Sequence, residues 1–352
     1  MPVGVLALAM IAVQLLCAAA GVDYYLTQLT MVAYYGLVIA GLCLLMGYAG
    51  QISLGHAGFF AAGGYATAAI TTWNLAAAAD TPLLRGAAAL RLVLRLTDPY
   101  GREVVYLSPW IGLAVAVAAT ALLALLIGVP VLKLKGHYLA MATLGFGTII
   151  YRVVLGARVF GEADGISDVP PFPLLPGVIV DGARAVRTVN FYVAWGLLLA
   201  ALALIANLIH SRPGRALRAL HGSEEAASAM GVDTARLKLH VFVVSAVLAA
   251  IGGVFLTHFN GGIGPSEAGI LKSVRYVAIV AVGGMANLWG AVTWSAVLGF
   301  LSLRGYFGSF DDAVFGTILV LVMLFAPEGV TRSPYVLRAV AAIRKRVAGG
   351  AA

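Results

Sequence analysis

Runs of about 20 mainly apolar residues recur along this chain with only short polar interruptions, and that is the length a helix needs to cross the hydrocarbon of a bilayer. In lipid a segment must satisfy its own backbone N–H and C=O groups, which restricts such runs to helices or to the strands of a closed barrel. Barrel strands are about 10 residues long and alternate in polarity; these runs do not alternate. The expectation is therefore an all-α integral membrane protein, a polytopic helical bundle. Composition agrees, because 61% of the 352 residues are hydrophobic and only 11% are charged. Mean hydropathy is +0.97, far outside the range of soluble domains.

Ten membrane segments are expected, at 3–20, 29–46, 54–73, 110–132, 139–155, 191–209, 239–259, 274–285, 288–303 and 313–325. The eighth and ninth are short and glycine-interrupted, as two brief spans or one broken, re-entrant unit would be. Residues 1–21 lack the basic start of a secretory leader and read as a first membrane helix. Cys17 and Cys43 lie inside apolar runs and offer neither metal spacing nor a disulfide framework.

Orientation follows from lysine and arginine placement. With a cytoplasmic N-terminus, the stretches 133–136, 210–238 and 328–352 fall inside. They hold twelve basic and four acidic residues, and this difference equals the whole net charge of +8. Both termini are thus expected in the cytoplasm, with a membrane domain over 1–330 and a basic tail over 331–352. Orientation and anionic lipid account for the basic excess, so no nucleic-acid partner is called for. Two longer segments, 74–109 and 156–190, fall outside. Within the first, 83–97 carries Arg91 and Arg95 one helical turn apart, which fits an amphipathic surface helix or an irregular surface loop. The second is rich in Pro and Asp and reads as an ordered loop.

The sharpest polar interruption is 47–60, where Gly47, Gly50, Gln51, Ser53, Gly55 and His56 separate two apolar runs. Non-helical backbone at membrane depth is tolerated only where protein or a water-filled path covers it, and transporters bind polar substrate atoms at such breaks. Gln51, Ser53 and His56 are therefore substrate-pathway candidates. A tight turn of small residues for close helix packing fits the same spacing. His56 suits either a proton relay or a local hydrogen bond that holds the turn. In the stretch 211–231, Glu225-Ala226-Ala227 is followed by three residues and then Gly231. A short helix of small residues flanked by charge suits docking into a partner's groove, and Gly231 can end it in a left-handed turn; a solvated linker helix has the same composition.

Taken with this loop, the stretches 47–60, 137–147, 163–166, 214–231, 282–285 and 323–329 resemble blocks of the branched-chain amino-acid ABC permease family. Their order is similar to that of the M-type member of its permease pair. The resemblance implies a bacterial inner-membrane subunit with an inverted repeat, working by alternating access. It implies a heterodimer with a second, related permease, two ATP-binding subunits and a periplasmic solute-binding protein. The loop would be the site of coupling to the ATPase, through Arg215, Glu224, Glu225, Ala226, Ala227 and Gly231, and Thr143 joins the pathway candidates. None of the five lysines follows a glycine, so the chain has no G-x-x-x-x-G-K-[ST] phosphate loop. ATP and Mg are then expected on the partner subunits, with no cofactor and no catalysis in this chain.

Urea and short-amide permeases share much of this pattern. An ion-driven secondary transporter would want acids buried in the apolar runs, and few are there. A passive channel would need a ring of selective groups. The chain departs from the family in the length of 74–109, in Glu162, and in Arg275, where an acid is usual. Arg275 with Lys272 adds positive charge near a pathway entrance, as a preference for a carboxylate-bearing ligand or a headgroup-facing pair would require.

Overall fold

The computed structural model describes residues 2–73, 93–97, 103–134, 136–326 and 329. Each of the ten apolar stretches is helical. They form α1 (Pro2–Ala19), α2 (Tyr25–Cys43), α3 (His56–Thr72), α4 (Pro109–Val131), α5 (His137–Gly156) and α6 (Arg187–His210). Two short helices follow, α7 (Arg212–Gly222) and α8 (Glu224–Ala229). The series then resumes with α9 (Thr234–Asn260), α10 (Ile270–Gly283), α11 (Leu288–Leu303) and α12 (Asp311–Phe325). A π-helical turn, Leu44–Tyr48, extends α2. Among the described residues six helical stretches are long and apolar enough to cross a membrane: Tyr25–Tyr48, Pro109–Val131, His137–Gly156, Arg184–His210, Thr234–Asn260 and Gly308–Phe325. The helices α1 and α11 are apolar but shorter. At 17 and 14 residues, α3 and α10 are short of a full crossing.

Burial separates the core from the periphery. The α2 stretch is 83% buried, whereas Pro109–Val131 is 28% and Gly308–Phe325 only 11% buried. An apolar helix that leaves most of its surface uncovered by protein suits a lipid environment, and α2 is the helix the others surround. It packs on α9, α6 and α11, and α9 packs in turn on α3 and α4. Small residues set the distance between α3 and α9: a methyl group on Gly63 would strike Ala250, and one on Gly253 would strike the Phe60 carbonyl. Such close backbone approach is how helices associate where hydrophobic burial gives no drive.

Side-chain contacts fix the directions. His56 meets Ser245 and Thr67 meets His258, so α3 and α9 run the same way. Tyr35 meets Lys272 and Cys43 meets the Met285 carbonyl, so α2 and α10 run together. The end that carries α7 and α8 is termed the inner end. At the outer end, β3 (Ile166–Ser167) pairs antiparallel with β6 (Gly262–Ile263), while β4 (Phe172–Leu175) pairs with β5 (Val178–Val180). Phe172 is fully buried against Phe255 and His258. The segment 156–190 is thus an ordered cap, as its composition suggests.

One expectation is corrected. The last five residues of 83–97 are a strand: β1 (Val93–Thr97) pairs antiparallel with β2 (Glu103–Leu107), Arg95 opposite Val105. The Arg91–Arg95 spacing also fits a helix. The β-branched and aromatic run Val104-Val105-Tyr106 favours a pleated strand, and pairing satisfies the backbone N–H and C=O groups that face each other across the two strands. Residues 74–92 and the tail 331–352 lie outside the described residues.

Candidate functional site

Two helices begin half-way through the bundle, and their first turns touch. The first is α3, which starts at His56 beside Ser245, eleven residues beyond the first residue of the 27-residue α9. That is about 16 Å along an axis of about 40 Å. The second, α10, starts at Ile270. Lys272 in its first turn reaches the Tyr35 hydroxyl, 3.0 Å away and ten residues into α2. The Ala57 N–H donates to Ser273 Oγ at 3.2 Å, joining the two starts directly. Helix starts present unpaired N–H groups and a partial positive charge.

The sequence-predicted residues around the break come together. Gln51, Ser53, His56 and Thr143 are all buried. The His56 ring bridges Ser53 Oγ at 2.9 Å and Ser245 Oγ at 2.7 Å, one contact on each nitrogen. Because a serine hydroxyl both donates and accepts, either neutral tautomer satisfies both contacts. Thr143 Oγ1 accepts from the Leu54 N–H at 3.0 Å and donates to the Ala140 carbonyl. So Ser53, His56 and Thr143 hold the non-helical stretch in place. Gln51 is different: neither amide atom has a hydrogen-bond partner, and it lines a polar cavity of about 160 Å³ shared with His221, Glu224 and Lys238. The π-helical turn beside it is tied to the α10–α11 connection, with Tyr48 Oη donating to the Ala286 carbonyl at 3.0 Å.

Arg275 stands apart from this group. Its guanidinium contacts Asp311 at 2.6 Å, Asp312 at 2.8 Å and Ser302 at 3.0 Å. Nearby, Lys272 pairs with Glu267 at 2.6 Å. Two cations therefore face three carboxylates, and the positive charge seen in the sequence is fully compensated in the fold.

At the inner end, α7 buries Leu217 and Leu220 and packs on the π-helical turn. The six residues of α8 are capped at both ends. Ser223 Oγ accepts from the Ala226 N–H, an N-cap. At the other end Gly231 adopts φ +83°. Its N–H donates to the Ser228 carbonyl and that of Val232 to the Ala227 carbonyl, the paired bonds of a left-handed helix stop. Ala227 faces inward, while Arg215, Glu225, Ala226 and Gly231 are exposed, as is 85% of Met230. Glu224 turns back into the protein and pairs with Lys238 of α9 at 2.5 Å. The residues that sequence reading missed are Lys238, Ser245 and Ser273. Lys238 and Ser245 lie seven residues apart, two turns on one face of α9, and that spacing was the available signal.

An apolar helical bundle with two helix starts meeting at half-depth, set above a pair of capped helices, is the build of a polytopic membrane permease. The chain belongs to the family described as branched-chain amino acid transport system / permease component, which matches residues 24–326. Relatives include the high-affinity branched-chain amino acid transport system permease protein LivM of Salmonella typhimurium, 30% identical over 85% of this chain and 68% of that protein. LivH of Escherichia coli is 24% identical over 89% of this chain and 97% of its own length. BraD of Pseudomonas aeruginosa is 27% identical over the same shares. No solved structure matches the chain.

Proposed function

We propose that this chain is one of two permease subunits of an ATP-driven importer and passes branched-chain or related amino acids across the bacterial inner membrane by alternating access. The observation that carries this reading is the pairing of an exposed, doubly capped α8 with a helix break directly above it. A second, related permease completes the path, two ATPases that hold ATP and Mg dock beneath α7 and α8, and a periplasmic binding protein delivers the cargo. That distinct proteins named LivM and LivH both resemble the chain supports a paired permease.

The inner end is the cytoplasmic one, with both termini there and ten passes between. The α2 and α9 helices run opposite ways, with Gly41 against Ser245 and Gly252 against the Tyr34 carbonyl, as this count requires of them. In the order of the ten apolar helices, α3 is third and α10 eighth; both start at half-depth and they run opposite ways, which supports an inverted repeat of five and five. The route for the cargo runs past the break at Gln51–His56, where the partial positive charge of two helix starts suits a polar ligand.

The assay is labelled-leucine uptake by proteoliposomes holding the complete complex and its binding protein. ATP-dependent uptake is expected, and uptake indifferent to ATP would sink the reading. In the same assay Glu225→Lys, on the exposed face of α8, is expected to lower leucine imported per ATP hydrolysed at least tenfold. Gly231→Val forces a β-branched side chain into φ +83°, a strain of about 1–2 kcal/mol, and should lower the same ratio. Unchanged ratios in both variants would remove α8 from coupling.

A further inference from the structure

The Glu224–Lys238 pair lies where a motion of α8 must pass to reach the helix break. Glu224 opens α8, and Lys238 sits near the start of α9 with 9% of its side chain exposed, against 31% for Glu224. Two turns further on, about 10 Å along the axis, Ser245 of the same helix holds His56 at 2.7 Å, and His56 holds Ser53 at 2.9 Å. An α-helix does not shorten over two turns, so displacing Lys238 along its axis displaces Ser245 equally. Ser245 also lies against Gly41 of α2, so a shift of α9 acts on α2 at the same level. The break it moves contains Gln51, whose amide is buried, unpaired and beside a cavity bounded by the same Glu224 and Lys238. A polar group left unpaired costs free energy and, next to open space, is ready to change partners.

We propose that the Glu224–Lys238 ion pair is the clasp that fixes α8 to α9, and that α9 carries the displacement of α8 to the His56 turn. Lys238 and Ser245 are thereby positioning residues of transport; neither touches cargo or nucleotide. This rests on the reading that α7 and α8 receive an ATPase. A salt bridge suits the task, because its strength falls steeply when geometry is lost and returns when the partners meet again.

The test uses the complete complex in proteoliposomes with labelled leucine, reading leucine imported per ATP hydrolysed and the amount of assembled complex. Glu224→Lys and Lys238→Glu are each expected to lower the ratio at least tenfold with assembly maintained. The double exchange, Glu224→Lys with Lys238→Glu, is expected to restore at least half of it. Ser245→Ala should lower the ratio, and Ser245→Thr, which keeps the hydroxyl, should rescue it. Single exchanges with an unchanged ratio would overturn the clasp while leaving ATP-driven uptake in place. A double exchange that assembles without restoring the ratio does the same. Single exchanges that abolish assembly, with the double restoring it, would make the pair a folding contact and also overturn the clasp. Wild-type uptake that needs no ATP fails the transport reading and, separately, removes the motion the clasp would carry.

Discussion

Gly253→Val is expected to strip the folded protein from the membrane. At this point α9 lies so close to α3 that any Cβ on Gly253 overlaps the Phe60 carbonyl, with the Gly64 backbone nitrogen just behind it. A flexible side chain could turn aside, but a backbone carbonyl in a helix cannot without breaking the helix. Overpacking a core costs about 1–3 kcal/mol when side chains yield, and an obstacle made of backbone puts this variant at the upper end or above. The consequence reaches the site, because the same seam keeps His56 opposite Ser245. The measurement is the amount of chain in purified membranes and the thermal unfolding midpoint of the solubilised complex. Gly196→Val is the control: it lies in α6, is exposed, and a Cβ there meets nothing within 4 Å. Equal abundance and midpoint for the two variants would contradict the close seam.

The second large effect is expected at Arg275. Removing one partner of a buried ion pair costs about 3–5 kcal/mol. Here Arg275 is about a fifth exposed and Asp312 about half exposed, so screening lowers the figure to about 2 kcal/mol. Arg275→Met should therefore lower the unfolding midpoint clearly, since Asp311 and Asp312 would face each other with no cation between them. Adding Asp311→Asn is expected to recover part of the loss. Arg275→Glu would put a third carboxylate beside those two and should be worse than Met. If Arg275→Met kept the wild-type midpoint but lost leucine affinity, the arginine would be a ligand-binding group and the compensated-cluster account would be wrong.

Much of the helical content was legible because membrane burial is written as length and hydropathy. All ten apolar stretches became helices, with boundaries within a few residues for most. The exception is instructive: 83–97 carries a spacing that suits a helix, yet its end pairs across to Glu103–Leu107. Strand pairing depends on a partner outside the window being read, so local periodicity does not report it. Gly231 was legible as a helix stop because the need for positive φ is a property of one residue and its neighbours.

The site was legible in part. His56 was singled out as a polar residue at the break and Thr143 through the family resemblance, and both lie within the break's hydrogen-bond network. Their partners came from far along the chain: Ser245 is 189 residues from His56, and Ser273 is 216 residues from Ala57. Charge behaved likewise. Lys272 and Arg275 read as excess positive charge, while the acids that match them, Glu267, Asp311 and Asp312, sat in short connections that looked external.

By itself, then, the sequence determined that this chain is a helical bundle for a membrane, where its helices run, and where one of them breaks. Those properties follow from local length, hydropathy and backbone preference, and each residue contributes without regard to distant neighbours. Only the tertiary structure decided that two helix starts meet at half-depth, that Glu224 turns inward to Lys238, and that the charges of α10 are already paired. The physical reason is that hydrogen bonds and ion pairs act over about 3 Å, and which groups come within that reach is set by packing.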